Sequence, residues 1–441
     1  MGYYKIGKSV LVSLLMVLSA SFVPSLPMLL MTSPVLAQTV DARKAEADRL
    51  IEQGAKQIQV KQFNAALQSW KQALHIYREI KDRKGEGMAL RNFGNVYSFL
   101  KDYPKAIEYL QQSLKIAREI KNVEAEGNAL EHLSIAYSNL GNYPKAIEYQ
   151  QQWLKYAREI RDNKNEGVAL GYIGIAYRNL GDYPKAIEYQ QQSLKIARDI
   201  KDYESEGAAL GNLGAAYYSL GDYPKAIKYF QQSLKIAREI KDPLRGGQSL
   251  GNLGNVYYSL GEYPKAIKYY QGSLKIAQII KDGKSETRAL GNIGNAYRDL
   301  GDYSKAIEYL QQSLKIAREI QDPNVAITLL NLGGAYYSLG DYSKAIKYAQ
   351  ESLQIARKIK NLRGEGYVLG NLGGAYYTLG EYPKAINYYQ QSLKIAREIE
   401  DPYVEGRSLS NLGLSYYKQG NLALAEITLF KGIKVYESLR C

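Results

Sequence analysis

The chain has 441 residues, 46% of them hydrophobic and 23% charged, with 58 Lys and Arg against 44 Asp and Glu for a net charge of +14. That apolar share excludes wholesale disorder. A single cysteine, Cys441, excludes an intrachain disulfide, and two histidines in different stretches, His75 and His132, leave neither a zinc cluster nor a Cys-His pair.

Residues 1–37 read as a signal peptide. Lys5 and Lys8 make a positive start, Val10 to Leu18 an apolar stretch, and Val35-Leu36-Ala37 a small-residue cleavage site before Gln38. The chain is therefore expected to be periplasmic or secreted, cleaved after Ala37. The alternative is an uncleaved anchor facing the periplasm, against which Pro24 and Pro27 interrupt the apolar run.

From residue 38 to the end the chain repeats itself. Gly54, Gly94, Gly174, Gly214, Gly254, Gly294, Gly333, Gly373 and Gly413, with Ser134 in one place, recur every 40 residues except for one step of 39. An alanine ladder from Ala66 to Ala425 runs in phase. Ten copies follow, at about 42–81, 82–121, 122–161, 162–201, 202–241, 242–281, 282–321, 322–360, 361–400 and 401–441. The 41 Tyr beside 6 Phe and 2 Trp agree with one unit copied many times.

The fifth copy shows the plan. Leu210, Leu213 and Tyr217 share one helical face, and Gly221 closes that helix where positive φ is favoured. Asp222-Tyr223-Pro224 starts a second helix whose apolar side is Ala226, Ile227, Leu234, Ile236 and Ile240. Gly214 and Ala226 are small where the paired helices approach. At the joints, Asp242-Pro243, Asp322-Pro323 and Asp401-Pro402 predict an Asp cap with Pro in the first turn of the following helix. No single pair buries both of its stripes, so neighbouring pairs must stack. In the first copy Gln53 and Gln57 replace the expected Leu and Tyr. The last helix, about Ala423 to Leu439, leaves an Ile427, Phe430, Ile433 and Val435 side for a partner, a second copy or solvent.

Leu210, Leu213, Gly214, Tyr217, Ala226, Ile227, Tyr229 and Leu234 resemble the tetratricopeptide repeat signature, over about nine-tenths of the chain. The resemblance implies an all-α fold, a right-handed alpha-alpha superhelix of ten helical hairpins. The 40-residue step exceeds the family's usual length, and the excess, Ile236 to Asp242, reads as a continuation of the second helix. This is similar to the long-helix variety of spindle-orientation scaffolds and kinesin light chains, and to arrays ahead of CHAT domains in cyanobacterial proteins. The repeats here run to Cys441, with no CHAT domain expected.

The resemblance also implies that the first helices line a concave groove that takes extended peptides or helices. By position it points to Asn92, Asn212, Asn252, Asn292, Asn331, Asn371 and Asn411, with Asn95, Asn255 and Asn295 in a second row. An amide both donates and accepts, so such rows suit a peptide backbone whatever its side chains, with satisfaction of neighbouring backbone as the structural alternative. Tyr218, Tyr258, Tyr337 and Tyr377, replaced by Arg178 and Arg298 in two copies, lie one turn further along. Tyrosine supplies contact area and arginine a carboxylate clamp, with packing as the rival role for the tyrosines. His132, Tyr172, Ile135 and Ile175 interrupt the rows and make a more apolar stretch suited to a hydrophobic anchor.

No catalytic, metal or cofactor residues are expected. The "LGNLGN" glycines lack the preceding strand and the Lys-Ser/Thr of a phosphate loop. Carboxylates such as Glu206 read as surface. Lys105, Lys115 and Arg118, interleaved with Glu108 and Glu119, read as a solvated face with short-range ion pairs. The expected function is a non-enzymatic scaffold or adaptor for proteins or peptides. A peptide-sensing regulator would use the same groove with a tight, saturable ligand. A basic envelope-surface or nucleic-acid binder would lose its ligand at moderate salt, and the export signal argues against nucleic acid. Membrane contact is expected only through a retained leader, and the oligomeric state is left open.

Overall fold

A computed structural model describes residues 34–439. The expected leader lies outside them except for its last four positions, and Cys441 also lies outside. The first helices of the ten copies are α1 (Pro34–Gln59), α3 (Arg83–Phe99), α5 (Val123–Asn139), α7 (Asn163–Leu180), α9 (Tyr203–Leu220), α11 (Pro243–Ser259), α13 (Gly283–Leu300), α15 (Val325–Leu339), α17 (Leu362–Thr378) and α19 (Pro402–Lys418). The second helices are α2 (Phe63–Glu79), α4 (Tyr103–Glu119), α6 (Tyr143–Glu159), α8 (Tyr183–Asp199), α10 (Tyr223–Glu239), α12 (Tyr263–Ile279), α14 (Tyr303–Glu319), α16 (Tyr342–Lys358), α18 (Tyr382–Glu398) and α20 (Leu422–Ser438). The fold is all-α, a solenoid built of ten helical hairpins. Two compact units divide after Asn92. No helix among the described residues is long and apolar enough to cross a membrane.

Within a copy the turn follows from local chemistry. Gly221 takes φ 84°, Asp222 accepts the Lys225 amide at 3.2 Å, and Pro224 needs no donor in the first turn. Lys225 then bonds Asp222 at 2.7 Å and places its ammonium 5.1 Å from the Tyr217 ring, which stacks on Tyr229 at 5.3 Å. The Lys225 ammonium and amide hold the Asp222 carboxyl below the usual carboxylate range. Between copies the left-handed residue is not glycine but a long side chain, Lys201 and Lys241 at φ 56° and Lys281 at φ 55°. The run Ile236 to Asp242 is accordingly helical only to Glu239, and its last three residues form this turn. Asp242-Pro243 and Asp401-Pro402 cap α11 and α19 as expected. Asp322-Pro323 does not, because that copy is one residue short and α15 starts at Val325.

In the second unit, from Phe93 onwards, consecutive helices pack along their length. A Cβ on the ladder Gly214 would come within 2.6 Å of the Phe230 ring, and one on Gly94, Gly294 or Gly333 within 3.1–3.2 Å of the ladder alanine's carbonyl, so the helices approach closely at both small residues. One device ties the two helices of each copy together, and another ties neighbouring copies. Ser193, Ser233, Ser273, Ser313, Ser352 and Ser392 each donate to a first-helix carbonyl 26 residues earlier, at 2.7–3.0 Å. Arg118, Arg158, Arg198, Arg357 and Arg397 each reach a Glu eight residues on at 2.7–2.8 Å. Glu206 is thus a buried inter-copy partner of Arg198 rather than a surface carboxylate, and Arg118 bridges copies instead of pairing along its own helix. The stacking needed to bury the seam brings these ends together.

In the first unit, Gln57 accepts from Ser69 at 2.9 Å, and Trp70 donates to the Ile51 carbonyl at 3.1 Å where the ladder Gly54 leaves room. Gln53 is exposed.

Candidate functional site: the first-helix wall of the second unit

Alternate first helices α7, α9 and α11, and again α13, α15, α17 and α19, touch one another. They form a wall on which each helix presents the residues that follow the seam by one or two positions. Asn212, Asn252, Asn292, Asn331 and Asn411 are half-buried in this wall and Asn371 is exposed. Asn92 is half-buried in the first unit.

The second row divides. The amide oxygen of Asn255 accepts the Tyr270 hydroxyl at 2.8 Å, whereas those of Asn95 and Asn295 are buried without a partner. In the next two copies the position is Gly334 and Gly374, so no amide is present. Burial holds the Tyr270 and Tyr389 phenols neutral well above the usual range.

The expected tyrosines are partly spent on the fold. Tyr218 and Tyr337 hydrogen-bond Ser259 and Thr378 of the next copy at 2.8 Å, and Tyr258 donates to Asp299. Burial and that bond push the Tyr258 phenol up to about 12. Each ring also meets the first tyrosine of its own second helix, Tyr377 at 5.7 Å from Tyr382 for example. Arg298 pairs with Asp299 at 2.9 Å, while burial lowers the Arg178 pKa and its guanidinium reaches Asn179 at 3.4 Å.

Cavities open on the wall. One of about 290 Å³ gathers Asn252, Asn255 and Asn292 with Tyr270, Gln248 and Arg288. Another, of about 330 Å³, gathers Asn371, Asn411, Arg298 and Tyr337 with Gly334, Gly374, Tyr389 and Arg407. A third, of about 230 Å³, holds Tyr172, Ile175, Val168 and Asn212, where Gln190 donates to the Gly171 carbonyl at 2.6 Å and leaves its buried oxygen unpaired. His132 binds the Asn128 carbonyl at 2.6 Å. Sequence reasoning missed Gln248, Arg288 and Arg407. The signal was present, since each lies four residues before an Asn of the row and hence on the same face. Arg407 sits 5.0 Å from the Tyr367 ring and keeps one buried guanidinium nitrogen without a partner. Amides, guanidinium and aromatic rings together can bind main chain and carboxylates, and they form no nucleophile-base pair.

A family model described as tetratricopeptide repeat matches residues 57–119, 125–199, 165–239, 205–279, 247–319, 285–358 and 364–438. The chain belongs to the tetratricopeptide repeat family. Its fold is therefore of a protein-interaction type. No curated protein matches it. Among solved structures it is similar to a signal transduction ATPase with a tetratricopeptide repeat sensor from Pyrococcus horikoshii. That likeness has a TM-score of 0.59 and 18% identity, and covers 91% of this chain and 65% of that one. The apo quorum sensor NprR from B. thuringiensis matches at 0.54 and 15%, covering 82% and 99%. A Rap protein complexed with competence and sporulation factor matches at 0.51 and 16%, over 82% and 99%. At these identities the likeness is one of fold.

Proposed function

We propose that this tetratricopeptide chain is a non-enzymatic adaptor that holds an extended segment of a protein partner along the first-helix wall. The observation that carries it is the pair of cavities on that wall, one gathering Asn252, Asn255, Asn292 and Arg288 and the other Asn371, Asn411, Arg298 and Arg407. The amides there both donate and accept and so suit a peptide main chain, and the guanidinium groups suit a carboxylate. Asn252, Asn292 and Asn371 then bind main chain, and the Tyr172 and Ile175 cavity takes an apolar side chain. Signal-directed export, cleaved after Ala37, places this adaptor outside the cytoplasm, which the N-terminal mass of the chain recovered from its source would check.

The test is panning of random peptides against the full chain, followed by Asn252→Ala with Asn292→Ala. Selected peptides should bind the double variant about tenfold more weakly, as loss of one to two hydrogen bonds implies, with unchanged thermal stability. Equal binding by the double variant discards the wall as the site. Binding that collapses at moderate salt for every sequence would favour a basic surface binder instead.

A further inference from the structure

The last second helix departs from its predecessors on its outer face. Ile427 and Phe430 of α20 stand where α18 carries Asn387 and Gln390 and α12 carries Lys268 and Gln271, all four exposed. Ile427, Phe430 and Ile433 remain 53%, 57% and 54% exposed. A further hairpin stacked on α20 would cover Ile433, whose counterpart Leu393 is buried, and would leave Ile427 and Phe430 in solvent. It would also bury Glu426 where α18 has the buried Ile386, an ionised group in an apolar seam. Continued stacking therefore does not account for this face.

The order of residues along the stripe does. Positions 426, 427, 430, 433 and 434 read Glu, Ile, Phe, Ile and Lys, charges of opposite sign at equal distances from Phe430. In an antiparallel pair of α20 helices with a two-fold axis at Phe430, the two Phe430 rings meet. Each Ile427 then meets Ile433 of the second copy, and each Glu426 meets Lys434 of the second copy. A two-fold interface needs a patch complementary to itself in this sense. Lys434 already places its ammonium 4.7 Å from the Phe430 ring, so the charge borders the apolar centre. We propose that the chain forms a two-fold dimer through the outer face of α20. One helix pair is a small contact, so the dimer is weak and concentration-dependent. It leaves the first-helix wall free.

Sedimentation equilibrium of the full chain tests it. The apparent mass should rise with concentration from one chain to two. Phe430→Gln, which installs the residue most other copies carry, should move the midpoint at least tenfold higher, and Phe430→Asp should hold the chain at one mass throughout. Glu426→Lys and Lys434→Glu should each weaken association by about tenfold, and the double exchange should restore it. All these side chains are exposed, so melting temperatures should not move. A monomer at every concentration, a dimer untouched by both Phe430 variants, or a double exchange weaker than either single one overturns the proposal.

Discussion

The cavity beside Asn252 and the cavity beside Asn371 sit on the same wall, three copies apart, and contrast at the position after the ladder glycine. After the ladder glycine comes Asn255 in the first and Gly334 and Gly374 in the second. Asn255 takes up the hydroxyl of Tyr270 and makes a polar floor. With glycine there, Tyr389 finds no amide, and the space passes to Arg407 and Arg298. One helical hairpin thus supports two chemistries, because the residue after the seam glycine lies about 100° round the helix from it and reaches the cavity while the glycine packs.

That comparison breaks first at the shared seam. Gly254→Val and Gly373→Val drive a side chain into the rings of Tyr270 and Tyr389, the latter at 2.7 Å from an added Cβ. Each should lose about 3 kcal/mol by chemical unfolding, as overpacking does, and unequal losses would mean the two regions do not share one seam. Asn255→Gly removes the Tyr270 acceptor and adds a helical glycine, so about 2 kcal/mol should be lost. Gly374→Asn moves the second cavity towards the first. Its Cβ would find the Tyr389 hydroxyl at 3.6 Å, ordinary contact, so stability should hold while peptides selected by that cavity weaken about tenfold.

Smaller effects sharpen the contrast. Glu262 and Glu381 cap α12 and α18 without a side-chain bond, whereas Asp341 accepts the Lys344 amide at 3.0 Å. Glu381→Asp should therefore gain about 0.5–1 kcal/mol in a thermal melt. The Lys344 ammonium and amide depress the Asp341 carboxyl. Its contribution is present above the unfolded value of about 3.9 and is lost as pH falls through the lower folded value. Melting temperature should be level above about pH 5 and decline below about pH 4, with a shallower decline in Asp341→Asn, which keeps an acceptor at the cap.

Legibility in the sequence followed the range of the interaction. The hairpins, the Gly221 turn and the Asp222 cap were readable because each depends on residues three or four apart. The left-handed lysines at the joints were not, since lysine carries no preference for positive φ and the turn is closed by backbone bonds, Lys201 to the Arg198 carbonyl and Asp202 to that of Ala197. Candidate residues divided the same way. The Asn row was found from its place beside the glycine ladder, and Arg407 was passed over although it shares that face.

What the sequence by itself determined is the helical alphabet of the chain: apolar spacing, caps and glycines act within one or two turns and leave no other backbone. Only tertiary structure decided which polar groups are used up. Ser233 reaches a carbonyl 26 residues back, Tyr218 a hydroxyl 41 residues on, and Asn255 the phenol of Tyr270, while Asn295 and Arg407 keep atoms unpaired. The Ser233 and Asn255 bonds close within one hairpin and the Tyr218 bond between neighbours, and each depends on how closely the helices settle, a distance set by the packing of whole side chains across the seam.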